Sequence, residues 1–449
     1  METASHDTPV EQQTSGKKRV FRNKKAIIAG IFLLVFLLIG VGVAMLQQDD
    51  HSDIQRNAGT QSQVGMEQEW PVLWGAPDNK NICQKNPSIK FSALPIAIED
   101  ITYVEPIGEL REGHIVPGDH GGIDYKTSLS SSPVKVYAPA DGFLVGVEKH
   151  PYTPPPGYPA LRHYHFYLEH SCTLFTGFVH LTEFTPQILA ANTELKTLDG
   201  DTSGQFKTIA PRIPVKAGQQ IGTAWSFGLL GWVTVDLTVT NKGYLNPESY
   251  RKAENWRIHS VAGLDYFTEP LKTQIMAKNP RTEEPRGGKI DFDIEGKLVG
   301  NWFQEGTGGL RDTSVEPKQC GNFPCPYWDG HIAFVYDYID PAQLRISVGH
   351  DWGLSGKTPF GVKGNGPDFK DIGAPDGLVT YELVALKDVS REKGYDTQSA
   401  LITVNDESRV LGTLLVQVVD ANTIKVEIFP GKTKEQVSGF TNKALIYER

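Results

Sequence analysis

The sequence predicts a mainly β protein. An N-terminal transmembrane helix is followed by an antiparallel β-sheet or split-barrel domain, and then by a second all-β domain, a barrel or a sandwich. Three observations predict this. The 449 residues include 45 glycines and 29 prolines, a turn-rich composition. Short runs of β-branched and aromatic residues recur from residue 133 to residue 429, separated by Gly/Pro turns. One uncharged apolar run, residues 26–46, covers about 30 Å as a helix, the thickness of a bilayer's hydrocarbon core.

Residues 1–25 form a basic tail with Lys17, Lys18, Arg19, Arg22, Lys24 and Lys25, and Asp49, Asp50 and Asp53 lie beyond the apolar run. The positive-inside rule puts the tail in the cytoplasm and the bulk of the chain outside, as a single-pass membrane protein. A cleaved signal peptide competes with this reading, but its apolar core would be about 7–15 residues and a small-x-small site would follow. Residues 47–69 are polar and aperiodic, a flexible stalk. The first β domain is expected over 70–260, with strands at 133–139, 142–150, 164–170, 174–181 and 232–239 and a helix within 181–195. Residues 261–288 contain "NPRTEEPRGG" and read as a linker. The second domain spans 289–449, with strands at 297–303, 331–338, 344–349, 379–386, 400–404, 411–419 and 423–429.

Lys and Arg number 44 against 53 Asp and Glu, a net charge of −9, which argues against a nucleic-acid partner. The four cysteines, Cys83, Cys172, Cys320 and Cys325, fall on the outer side, where disulfides persist. Cys320 and Cys325 are near enough to pair locally, leaving Cys83 with Cys172, although four cysteines allow three pairings.

The candidate chemistry begins at "GDHGGIDY", residues 118–125, where His120 and Asp124 stand four apart. His180 follows in "FVHL", and residues 215–239 complete the set. From Gly113 to Tyr250 the order "HGGID", "PVKVYAPADGFLVGVEKH", "HFYLEHSCTLFTGFVHL", "VKAGQQIGTAW" and "LNPESY" resembles the lysostaphin/LytM-type zinc endopeptidases, which cut peptide cross-links in bacterial cell walls. The resemblance implies that His120 and Asp124 occupy the first two metal-ligand positions and His180 that of a catalytic histidine. Where that family carries H-x-H, this chain has "TVDL". In the matching register Thr234 takes the catalytic position and Asp236 the third ligand position. Period-two alternation puts Thr234, Asp236 and Thr238 on one strand face. A His–Asp–Asp set with an open position suits zinc, or a harder divalent ion such as manganese or magnesium. Thr234 cannot act as an imidazole acid or base, and losing such a group usually costs about 10²–10⁴ in rate.

A second H-x-H, His163 and His165, precedes "FVHL" and is the alternative source of the missing imidazole. His170 reads as a strand-end histidine. His114, His150, His259, His331 and His350 have no ligand-like spacing. "GKLVGNWF", residues 296–303, is similar to the Gly-x-Trp start of lipocalin-like barrels, whose Trp closes the barrel floor.

Three readings of function follow. One is an extracytoplasmic protein with an altered metal site that binds or remodels cell-envelope peptides or glycans, or another envelope protein. Another is an active metal-dependent endopeptidase. A third places the function in the C-terminal domain, as a barrel holding a small apolar ligand. The sequence does not speak to oligomeric state.

Overall fold

Alternating apolar residues build two sheets in the first half of the chain. The computed structural model describes residues 89–110, 116–128, 131–153, 157, 162–310, 319–320, 323–324, 328–350, 352–354, 358–395 and 401–449. The expected span at 26–46 and the stalk lie outside them, and no helix among the described residues is long and apolar enough to cross a membrane.

The strands of the first half are β1 (Ile101–Glu105), β2 (Gly121–Tyr125), β3 (Val134–Tyr137), β4 (Gly142–His150), β5 (His163–Glu169), β6 (Leu174–Leu181), β7 (Glu183–Phe184), β8 (Lys207–Ile209), β9 (Ile213–Val215), β10 (Gln220–Ala224) and β11 (Leu229–Asp236). The main sheet runs β1-β2-β11-β6-β5-β4-β8, with β9 also on β4, and a smaller sheet runs β3-β10-β7. Between them lies a core that includes Phe166, Phe178, Leu230, Trp232, Val136 and Ile221. The expected helix at 181–195 resolves into β7 and two short helices, Pro186–Ala190 and Thr193–Gly200. Side-chain caps from Thr185 and Asn192 start these helices.

Residues 261–288, expected as a linker, pack against the first β unit. Leu264, Phe267 and Ile275 are buried in the same core beside Phe91, and Phe267 bridges Phe91 in a β contact. The polar "NPRTEEPRGG" run is itself pinned: Arg281 is buried and donates to the carbonyls of Glu283, Pro285 and Tyr338. The run's own carbonyls at Glu283 and Pro285 thus accept from the buried Arg281 guanidinium.

The second half forms a closed barrel. Its strands are β12 (Gly300–Gln304), β15 (His331–Tyr336), β16 (Leu344–Val348), β17 (Phe360–Val362), β18 (Leu378–Asp388), β19 (Thr403–Asp420), β20 (Thr423–Pro430) and β21 (Leu445–Glu448), and β21 closes on β12. A side hairpin pairs β13 (Gln319–Cys320) with β14 (Phe323–Pro324). The structure thus selects the barrel over the sandwich. The barrel core includes Trp302, Phe334, Ile346, Tyr381, Leu414 and Val426. Trp302, in the Gly-x-Trp stretch, is fully buried; its indole N–H donates to the Leu298 carbonyl and the Arg449 guanidinium lies 3.9 Å from its ring centre.

The outer faces of β12 and β15 are buried too. Ala333, Val335 and Tyr338 pack with Tyr103, Leu110 and Val116, and Phe303 packs with Ile107, Tyr244 and Tyr250. Sheet and barrel therefore share two apolar clusters. Cys172, at the β5–β6 turn, is not a free thiol; Cys83 and Cys325 lie outside the described residues, as does the side chain of Cys320.

Candidate functional site: an apolar groove beside a histidine cluster

"GDHGGIDY" folds as the entry to a strand rather than a turn. A Cβ at Gly121 would stand 2.2 Å from the Glu105 carbonyl oxygen, and one at Gly122 would stand 2.5 Å from Leu229 Cδ1. The glycines let β2 lie close between β1 and β11. Asp124 then faces Leu229 directly across the ladder, and Gly122 faces Gly231. The sheet face that Asp124 shares carries Leu229, Gly231 and Val233 from β11 and Gly177 and Val179 from β6.

That register sets Asp236 apart from Asp124. Asp236 is seven residues beyond Leu229 on the same strand, about 23 Å from the rung of Asp124. It also lies on the other face, that of the core residues Leu230 and Trp232. Its carboxylate accepts from the Tyr266 hydroxyl at 2.5 Å, the Thr238 hydroxyl at 2.6 Å and the Thr238 amide at 2.9 Å. Thr234 shares that inner face and is buried, with Gly263 packed against its hydroxyl. Thr234 and Asp236 do share a face, but β11 ends at Asp236, and Thr238 lies in the turn that follows. The groove-facing positions of β11 are filled by Leu229, Gly231 and Val233.

His120 is held between two carboxylates. Its Nδ1 is 2.8 Å from Asp119 Oδ1 and its Nε2 is 2.9 Å from Glu109 Oε1. Burial alone would lower its pKa, but the Glu109 charge and the Asp119 hydrogen bond outweigh burial and raise it well above 6.5. Both ring nitrogens therefore lie within hydrogen-bond distance of a carboxylate. Trp256 Nε1 donates to Asp119 at 2.6 Å, and Arg257 joins Glu254 to the Pro117 carbonyl. Asp124 accepts from the Thr102 hydroxyl at 2.6 Å. A cavity of about 180 Å³ lies over this floor, bordered by Asp119, His120, Tyr167, Val179, Val233 and Trp256.

His180 is the predicted residue that the structure turns towards other chemistry. The β5–β6 ladder slips between Tyr164 and His165, and His180 takes φ = 76°, in the left-handed region. Such a bulge re-aims a side chain. His180 Nδ1 reaches His163 Nε2 at 3.1 Å, and its ring stacks on Phe227 at 4.4 Å.

His163 leads into a cluster that the sequence reading missed in part. The β4–β5 register sets His150 opposite His163 and Glu148 opposite His165. Glu148 Oε2 lies 3.1 Å from His150 Nε2 and 3.4 Å from His165 Nδ1. The His150 and His165 rings are 4.0 Å apart, and the His163 and His165 rings 5.0 Å. Burial would raise the Glu148 carboxyl, but the two histidines hold it at about 2. Burial and neighbouring imidazoles lower His163 to about 3, and burial lowers His165 as well. His150 has no ligand-like spacing within the sequence. The signal was Glu148-x-His150 on one strand and His163-x-His165 on the next, two period-two pairs whose significance rests on the register between them. His170 is structural, bonded to the Asp141 carbonyl and the Thr176 hydroxyl.

No protein-family profile matches the sequence, and no curated protein matches it. Among solved structures, the chain is similar to a zinc-containing peptidase from Vibrio cholerae, at 19% identity over 33% of this chain and 38% of that one, with a TM-score of 0.18. It therefore spans well under half of that peptidase. It is also similar to a chain of the SpoIIQ–SpoIIIAH pore-forming complex, at 14% identity over 41% of this chain and 96% of that one, with a TM-score of 0.23.

Proposed function

We propose that this is a membrane-anchored, extracytoplasmic protein whose first β unit is a lysostaphin/LytM-type scaffold that binds cell-envelope peptides or glycans and does not hydrolyse them by that family's zinc chemistry. One observation carries the reading: the β11 positions that share a face with Asp124 are Leu229, Gly231 and Val233, none of which ligates a metal. Hydrolysis at such a site needs three protein ligands and an activated water. Here Asp236 is on the inner face and His120 is bound up by Glu109 and Asp119. What remains is an apolar floor rimmed by Trp256, Tyr167 and His120, surfaces that suit a peptide or sugar ring.

The test uses purified full-length protein in detergent, with isolated wall sacculi. Co-sedimentation is expected, and it should weaken by about tenfold in Val179→Glu, which places a charge in the groove floor. Release of soluble wall fragments that stops on adding a chelator, and stops in both His120→Ala and Asp124→Ala, would establish the endopeptidase instead. Anchoring is tested separately by protease protection of intact cells, which should spare only the N-terminal tail.

A further inference from the structure

We infer that Glu148, His150 and His165 form a binding site for one divalent transition-metal ion of the zinc class, on the β4–β5 ladder and away from the ligand positions implied by the family resemblance. The donor atoms are already placed. One ligand atom from each residue lies within 4.8 Å of the other two, and the two carboxylate–imidazole separations are 3.1 and 3.4 Å. A tetrahedral ion with ligands at 2.0–2.1 Å requires ligand atoms about 3.3–3.4 Å apart, so a small closure of the two imidazoles completes three corners. Two imidazole nitrogens and one carboxylate oxygen favour zinc over magnesium or calcium, which prefer all-oxygen shells.

The surroundings fit such an ion. The three side chains are rigidly based, because each projects from a paired strand position on one sheet face. They keep 14–27% of their surface open, enough for an ion to enter. Tyr167, two residues along β5 from His165, shares this sheet face. His163, with its ring centre 5.2 Å from that of His150 and 5.0 Å from that of His165, borders the fourth corner. Phe206 packs against His150, and Phe227 against His163, walling the cluster with apolar rings. The assignment is independent of what the groove binds.

The experiment uses tag-free full-length protein, stripped with chelator and titrated with Zn²⁺, with Co²⁺ as a spectroscopic probe. One equivalent of Zn²⁺ should bind and survive dialysis, and Co²⁺ should give the visible absorption of a four-coordinate nitrogen–oxygen site. His150→Gln, His165→Gln and Glu148→Gln should each weaken Zn²⁺ binding by about 100-fold or more, while His120→Ala and Asp124→Ala leave it unchanged. Failure to retain zinc, or loss of binding in His120→Ala with retention in His165→Gln, overturns the assignment. Should a cluster variant lose its fold, diethyl pyrocarbonate labelling of the unmutated chain decides. Zn²⁺ should protect His150 and His165, and equal labelling with and without zinc counts against the site.

Discussion

Gly231 is the position at which the groove's chemistry and its packing meet, and its substitution by alanine tests the register on which the site rests. A Cβ there would stand 2.3 Å from Val179 Cγ2 on the neighbouring strand, well inside contact distance. Val179 is β-branched and held in its ladder by the β5–β6–β11 pairing, so it cannot simply rotate away. Overpacking of this kind costs about 1–3 kcal/mol, and the lower chain entropy of alanine returns roughly 0.5–1 kcal/mol of it. Gly231→Ala should therefore lose about 1–2 kcal/mol, seen as a lower denaturant midpoint with an unchanged slope. Val179→Ala removes the offending methyl groups. In the double variant the new Cβ occupies that space, so the two changes should couple favourably by about 1–2 kcal/mol. Equilibrium urea unfolding of the four proteins of this cycle measures it. Additive effects, or a Gly231→Ala protein as stable as the original, would show that Gly231 does not face Val179 and that the groove floor is misassigned.

Other outcomes are equally specific. Asp236→Asn should lower stability by about 1–3 kcal/mol, through its bonds to Tyr266 and Thr238, without changing the zinc content measured by mass spectrometry. Asp337→Ala leaves the fully buried Arg345 guanidinium without the carboxylate 3.0 Å away, and should cost about 3–5 kcal/mol in thermal or urea unfolding. Stability should fall between pH 7 and pH 5. Burial depresses His331 to about 3 and His170 to about 4, so the unfolded chain takes up their protons first as pH drops below 6.5. Each then contributes a loss of about 2 kcal/mol at pH 5, which Asp293, raised by burial to about 6, offsets by roughly 1 kcal/mol. His120 works at the alkaline end. Its raised pKa gives stability that is complete below pH 6.5 and lost as pH rises through the folded value, so His120→Gln should flatten the alkaline limb of the same curve.

Much of the architecture was legible in the sequence, because alternation and turn residues are local signals. Strands expected at 142–150 and 174–181 are β4 and β6 to the residue, and residues 403–404 and 411–419, from two expected runs, belong to one long strand, β19. β17 and β21 were missed. Each has only a few residues and takes its identity from neighbours in the closed barrel. The site was less legible. Asp236 and Thr234 matched positions in a motif, yet which face of a strand is open depends on what packs behind it, here Trp232 and Gly263. Glu148 and His165 are 17 residues apart in the chain, and only ladder register makes them partners. Local spacing could nominate His163 and His165 but had no means of adding His150.

The apolar clusters that bridge sheet and barrel bear on how the molecule comes apart. Tyr103 and Leu110 lean on Val335, and Tyr250 leans on Phe303, so neither half keeps its own wall when the other is cut away. Heat or urea should melt both halves in one step, with a single calorimetric peak. A truncation after residue 288 would leave an oily scar on the His120 loop, and the cell's proteases, rather than any loss of groove chemistry, would then dictate how much of the shortened protein survives.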